Sequence, residues 1–258
     1  MSSVNLIESS RKLPNIKGFL LNSIISSLFY IKEIPGEQPL NIVVGTYYGG
    51  NTEIRILIQS PANVILNKEN NFSELKTQRL DDKLLYIGYN PKIDFFDYKE
   101  TFTWIDNENL FTVSLKTEEN KEKLVQEIIK TKEKIDPIVE KLIKPLPEIK
   151  GYSLIFNSSS MVSPTTTLRF GAYSYGKTGK EVLAYLYEGD DSKRIYQELI
   201  GKMKSRKEFE EKIEGLIDDK VHIIFFDELR NTLAYTSGSE ESRESCMKIC
   251  MKIIEKLK

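Results

Sequence analysis

The chain repeats itself, and the repeats come in the same order. Ile16-Lys17-Gly18-Phe19 reappears as Ile149-Lys150-Gly151-Tyr152. Residues 40–49 (LNIVVGTYYG) are answered by 168–176 (LRFGAYSYG), with Gly45 and Tyr47 falling on Gly171 and Tyr173. Residues 53–58 (EIRILI) correspond to 181–186 (EVLAYL), and Trp104-Ile105-Asp106 to Phe225-Phe226-Asp227. Ordered self-similarity of this kind means a structural unit that has been copied, and each copy must then bury a core of its own.

The segments that follow the last match align without a gap. Glu118, Glu119, Leu124, Val125, Ile128, Ile129 and Ile135 pair with Glu240, Glu241, Cys246, Met247, Cys250, Met251 and Leu257. Apolar residues at i, i+1, i+4 and i+5 form one stripe on a helix, so each half is expected to close with an amphipathic helix. Ahead of it, β-branched runs around the Gly49-Gly50 turn read as strands. Residues 84–89 and the runs 102–115 and 222–235 read as further strands and hairpins. Residues 192–217 read as one or two charged helices; residues 64–80 hold their place in the first half with a weaker pattern.

Residues 136–148 carry Pro137, Pro145 and Pro147, which end a helix and favour extended chain, so the boundary is set there. The expectation is an α+β class of two tandem related halves, 1–146 and 147–258. Each is a mainly antiparallel sheet packed by its C-terminal helix, and the two are arranged about a pseudo-two-fold.

Charge narrows the partners. The 258 residues hold 37 Lys and Arg against 38 Asp and Glu, a formal net charge of −1. A near-zero balance leaves no whole-chain footprint for nucleic acid or an anionic membrane. The basic stretch Lys202, Lys204, Arg206 and Lys207 is followed at once by acids and reads as a solvated surface. The apolar run 19–31 is broken by Asn22, Ser23, Ser26 and Ser27 and is too short to span a bilayer, which needs ~20 apolar residues. A cytoplasmic setting is expected, and two cysteines close together near the end exclude a disulfide scaffold.

One contiguous match points to chemistry. Residues 171–178 (GAYSYGKT) satisfy G-x-x-x-x-G-K-T, and residues 221–228 (VHIIFFDE) form an apolar run closed by two acids. The pair resembles the phosphate loop and the Mg²⁺-holding strand of P-loop NTPases. The resemblance implies ATP or GTP with Mg²⁺. Gly171 and Gly176 would shape the loop, Lys177 would reach the phosphates, and Thr178 and Asp227 would hold the metal. Glu228 would orient water. Against it, a P-loop must enter a helix, whereas residues 181–187 read as a strand and the loop would contain Tyr173 and Tyr175. The matching loop of the first half has no lysine. A hairpin turn at Gly176-Lys177-Thr178-Gly179 is the preferred reading.

The other candidates read as structure. His222, the sole histidine, has no second imidazole to share a metal or a triad with. Cys246 and Cys250 share a helix face but replace Leu124 and Ile128, which marks core positions. Of the acidic pairs Asp81-Asp82, Glu118-Glu119, Asp190-Asp191, Asp218-Asp219 and Glu240-Glu241, most fall at turns and helix starts. Tyr47, Tyr48, Tyr173, Tyr175, Tyr185 and Tyr187 gather in the matching hairpins and suit cross-strand packing. The function expected is non-catalytic binding of a protein or a small molecule, at a cleft where the halves meet. Nucleotide hydrolysis is the alternative.

Overall fold

The computed structural model describes residues 10–29, 40–60, 75–80, 82–88, 100–117, 120–131, 142–144, 146–175, 180–209 and 212–257. By its contacts the chain separates into two compact units, Ser2–Ile143 and Lys144–Lys258.

In the first unit β1 (Leu20–Phe29), β2 (Leu40–Gly49), β3 (Thr52–Ser60), β4 (Leu75–Leu80), β5 (Lys83–Gly88), β6 (Thr101–Asp106) and β7 (Asn109–Lys116) are followed by α1 (Lys121–Lys130). The strands pair antiparallel in the order β1-β2-β3-β7-β6-β5-β4. Alternation along β3 sends Ile54, Ile56 and Ile58 to one face, opposite Tyr47, Gly45 and Val43 of β2 and Leu115, Val113 and Phe111 of β7. All three isoleucines are fully buried. Burying such side chains contributes ~1.5–3 kcal/mol each. The helix α1 is capped by Asn120, whose side chain accepts from Lys123 N, and it buries Leu124, Val125 and Ile128.

The second unit holds β8 (Ser153–Ser163), β9 (Thr166–Tyr175), β10 (Lys180–Glu188), α2 (Ser192–Lys202), β11 (Arg206–Phe209), β12 (Lys212–Ile217), β13 (Lys220–Asp227), β14 (Thr232–Gly238) and α3 (Arg243–Leu257). Its ladder runs β8-β9-β10-β14-β13-β12-β11. One face packs Tyr173, Val182, Ala184, Leu186, Ile223 and Phe225 against Cys246, Ile249, Cys250 and Ile253 of α3. The other packs Ile224, Leu233 and Tyr235 against Ile195, Tyr196 and Leu199 of α2. With both faces of β13 covered, its continuous apolar run is explained.

Local details recur in the two units. Tyr47 Oη donates to Pro14 O at 2.8 Å, and Tyr173 Oη donates to Pro147 O at 2.7 Å. Gly18 and Gly151 take φ of +85° and +89° in the turns that lead into β1 and β8. Gly45 and Gly171 each leave room for a leucine: a Cβ would lie 2.7 Å from Leu13 Cδ2 in one and 2.8 Å from Leu146 Cδ1 in the other. The tight turns Asn107-Glu108 and Asp218-Asp219 have positive φ at both residues, as two-residue hairpins of this hand require.

The expected α+β class, with sheet-and-helix halves about a pseudo-two-fold, is corrected to mainly β. Fourteen strands stand against three α-helices among the described residues. The error lies in the middle segments. Residues 192–217 are helical only as far as Lys202 and then form the β11–β12 hairpin, whose charged side chains imitate a solvated helix. Residues 75–80 are likewise a strand; 64–74 lie outside the described residues, as do Glu118, Glu119 and Ile135. The apolar run that begins at Phe19 is the strand β1 over Leu20–Phe29. No helix among the described residues is long and apolar enough to cross a membrane.

Candidate binding site

The hairpin β6–β7 carries a buried tryptophan and a tightly bonded turn. Trp104, the sole tryptophan, stacks on Phe111 across the ladder, ring centroids 5.3 Å apart and planes 7° from parallel. At the tip, positive φ at Asn107 and Glu108 turns the chain tightly enough for Asn109 to reach back. Its Nδ2 donates to Asn107 O at 2.8 Å and to Asp106 O at 3.3 Å. Its Oδ1 accepts from Lys12 Nζ at 2.8 Å and also from Ser60 Oγ. Every hydrogen-bonding position of this amide is therefore used.

Beside this hairpin lies a groove of about 410 Å³. The hairpin supplies Trp104, Asp106, Asn107 and Phe111 to its wall, the N-terminal segment adds Lys12 and Pro14, and the end of α1 adds Ile128, Ile129 and Thr131. The helix stops there because Thr131 is extended (φ −68°, ψ 108°). Its Oγ1 donates to Glu127 O at 2.8 Å and its N to Ile128 O at 3.2 Å. The groove is of the size that holds small organic ligands, and its lining mixes the polar groups of Lys12, Asp106, Asn107 and Thr131 with apolar side chains.

The corresponding place in the second unit is closed. Phe225, Asp227, Arg230, Thr232, Ile254 and Leu257 surround a space of about 10 Å³, room for no more than a single water. There α3 continues to Leu257, whose carbonyl accepts from Arg230 Nη1 at 2.9 Å. The longer helix and one arginine fill the space here.

The residues singled out from sequence are spread through the second unit. Gly171 sits mid-strand in β9 against Leu146. Gly176, Lys177, Thr178 and Gly179, with the hairpin turn expected there, lie outside the described residues; the strands on either side are antiparallel neighbours, Lys180 opposite Tyr175. Asp227 ends β13, where its Oδ1 accepts from Arg230 N at 3.2 Å. Glu228 is exposed and pairs with Lys193 at 2.6 Å; that ammonium holds its carboxyl below the ordinary range.

The half-buried His222 faces Tyr235 at 6.2 Å, and its Nδ1 has no hydrogen-bond partner among the described residues. Burial, then the charge of Lys220, pushes the imidazole pKa down, while Asp218 pulls the other way. His222 stands at one end of an aromatic row. Phe156, Phe170, Tyr185 and Tyr235 follow one another across four strands at 5.5, 4.7 and 4.2 Å.

Tyr47 and Tyr173 are core residues, whereas Tyr185 and Tyr187 lie partly buried in the row's own layer. Cys246 and Cys250 are buried free thiols, pushed up to about 11 and about 12 by burial. The acids Asp218-Asp219 form a hairpin turn, Glu240-Glu241 open a short 3₁₀ turn, and Asp191 precedes α2, held below the ordinary range chiefly by hydrogen bonds from Ser163 and Thr166. No cluster of three or more His, Cys, Asp or Glu able to hold a metal occurs among the described residues.

Sequence reasoning passed over Lys12, Asn107 and Asn109 entirely and saw Trp104 and Asp106 only as strand. The usable signal was the lone tryptophan beside an Asp-Asn-Glu-Asn turn. No protein-family model matches the chain, and no curated protein matches it.

Proposed function

We propose that this is a non-catalytic binding protein whose ligand occupies the groove between the β6–β7 hairpin, the N-terminal segment and the end of α1. The observation that supports this is the contrast in volume, about 410 Å³ in the first unit against about 10 Å³ at the corresponding place in the second. If the chain arose by tandem duplication, as the recurring Tyr–Pro bonds and leucine-filled glycines support, one copy kept or gained an opening that the other lacks. The repeat boundary then falls near residues 146 and 147. A cytoplasmic setting suits the two unpaired thiols.

Nucleotide hydrolysis at Lys177 is the weaker reading. A phosphate loop delivers its ligand to a helix N-terminus, and the residues after this loop, Lys180–Glu188, are a strand. Phosphate release from Mg²⁺-ATP that disappears in Lys177→Ala would favour hydrolysis over binding.

Trp104 makes the groove directly testable, since all tryptophan emission comes from its wall. A panel of small metabolites should yield compounds that both shift this emission and raise the melting temperature. Thr131→Phe, which places a ring at the groove's edge, should abolish both responses, and Thr131→Ser should keep them. A panel that moves neither signal, or equal binding by Thr131→Phe, would refute the proposal.

A further inference from the structure

We infer that the groove takes a small organic anion, a carboxylate carried on an apolar or aromatic body; this rests on the groove being the binding site. Two charged side chains line it among the described residues, Lys12 and Asp106. Asp106 is already matched, because Lys83 Nζ lies 2.7 Å from its Oδ1. Among the described residues Lys12 is matched by no carboxylate; its ammonium donates to the neutral amide oxygen of Asn109 at 2.8 Å. The charge left over in the groove is positive.

That charge is also held in place. Asn109 is 7% exposed and bonded through both ends of its amide, so it cannot turn away from Lys12. An ammonium has three N–H donors, and Asn109 takes one, leaving others for an incoming oxygen. Charge-assisted bonds of this kind are the strong ones. Trp104, Phe111, Pro14 and Ile129 supply apolar surface beside Lys12 for the ligand's body. A cationic ligand would instead meet Lys12 with Asp106 already neutralised.

Three probes of one shape separate the possibilities: 3-phenylpropionate, its neutral amide, and 2-phenylethylamine, titrated against the full chain by Trp104 emission and calorimetry. The carboxylate should bind at least ~10-fold more tightly than the other two, the factor expected of a hydrogen bond to a charged group. Lys12→Met should erase the preference, and Lys12→Arg, which keeps the charge, should retain most of it. Equal or tighter binding of the amine or amide, or a preference unchanged in Lys12→Met, overturns the anion assignment and leaves the groove standing. Silence from all three probes, or binding that survives in Thr131→Phe, overturns both.

Discussion

Tyr47 is buried in β2 and spends its hydroxyl on the carbonyl of Pro14, 2.8 Å away and 33 residues earlier in the chain. The bond ties the N-terminal segment, and with it Lys12, to the face of the sheet. Removing the hydroxyl leaves a buried carbonyl without its donor, which costs ~1–3 kcal/mol. Tyr47→Phe is expected to lower the urea midpoint accordingly, and Tyr173→Phe to do the same through Pro147. Full stability in both variants would show that these bonds are incidental.

Gly171 is required for a different reason. A Cβ there would sit 2.8 Å from Leu146 Cδ1 and 3.1 Å from Phe156 O, too close for either to stay put. Gly171→Ala should therefore destabilise by ~1–3 kcal/mol through overpacking. Leu146→Ala creates a cavity beside the same spot, so the double variant should cost less than the sum of the two singles. Strict additivity in denaturant melts would contradict this contact.

The thiols of Cys246 and Cys250 should be silent in the native protein. Burial raises them to about 11 and about 12 from an ordinary 9.0, so at about pH 8 a thiol reagent should find neither until the chain is unfolded. The sign for stability follows. Above about pH 9 the unfolded chain loses these protons before the folded one does, and stability should fall as pH rises. Replacing both with Ala or Val should flatten that alkaline decline. Rapid native labelling would refute the burial.

His222 works at the acid end. Its folded pKa lies below the unfolded value of 6.5, so the unfolded chain takes up the proton first as pH falls. The stability linked to a neutral imidazole is complete above about 6.5 and declines as pH drops below it. Stability measured from about pH 8 to about pH 4.5 should show this loss in the wild type and less of it in His222→Gln. Identical slopes would remove His222 from the account.

Much of the sheet could be read from sequence, and the reasons are local. Ile54, Ile56 and Ile58 alternate cleanly because one face of β3 is core, and Gly49-Gly50 marks the turn before it. The strands β1 and β8 were missed for a physical cause. Register shifts between Leu21 and Ser23, and between Leu154 and Phe156, break the two-residue period that identifies a strand. The helical reading of residues 206–217 failed because the edge strand β11 is exposed throughout and so imposes no alternation. The groove was less legible still. It depends on where α1 stops and on an ammonium held by Asn109 from the far end of the unit, and neither is written in any contiguous motif.

The strand β11 ends the second unit's ladder with Arg206, Lys207, Glu208 and Phe209, all of them exposed. A row of unpaired backbone donors and acceptors invites any passing extended peptide to extend the ladder. Four residues are too few for a lasting zipper, and the charges on three of them make desolvating that margin costly. The same short hairpin that defeated the helix expectation thus acts as a guard against fibre growth.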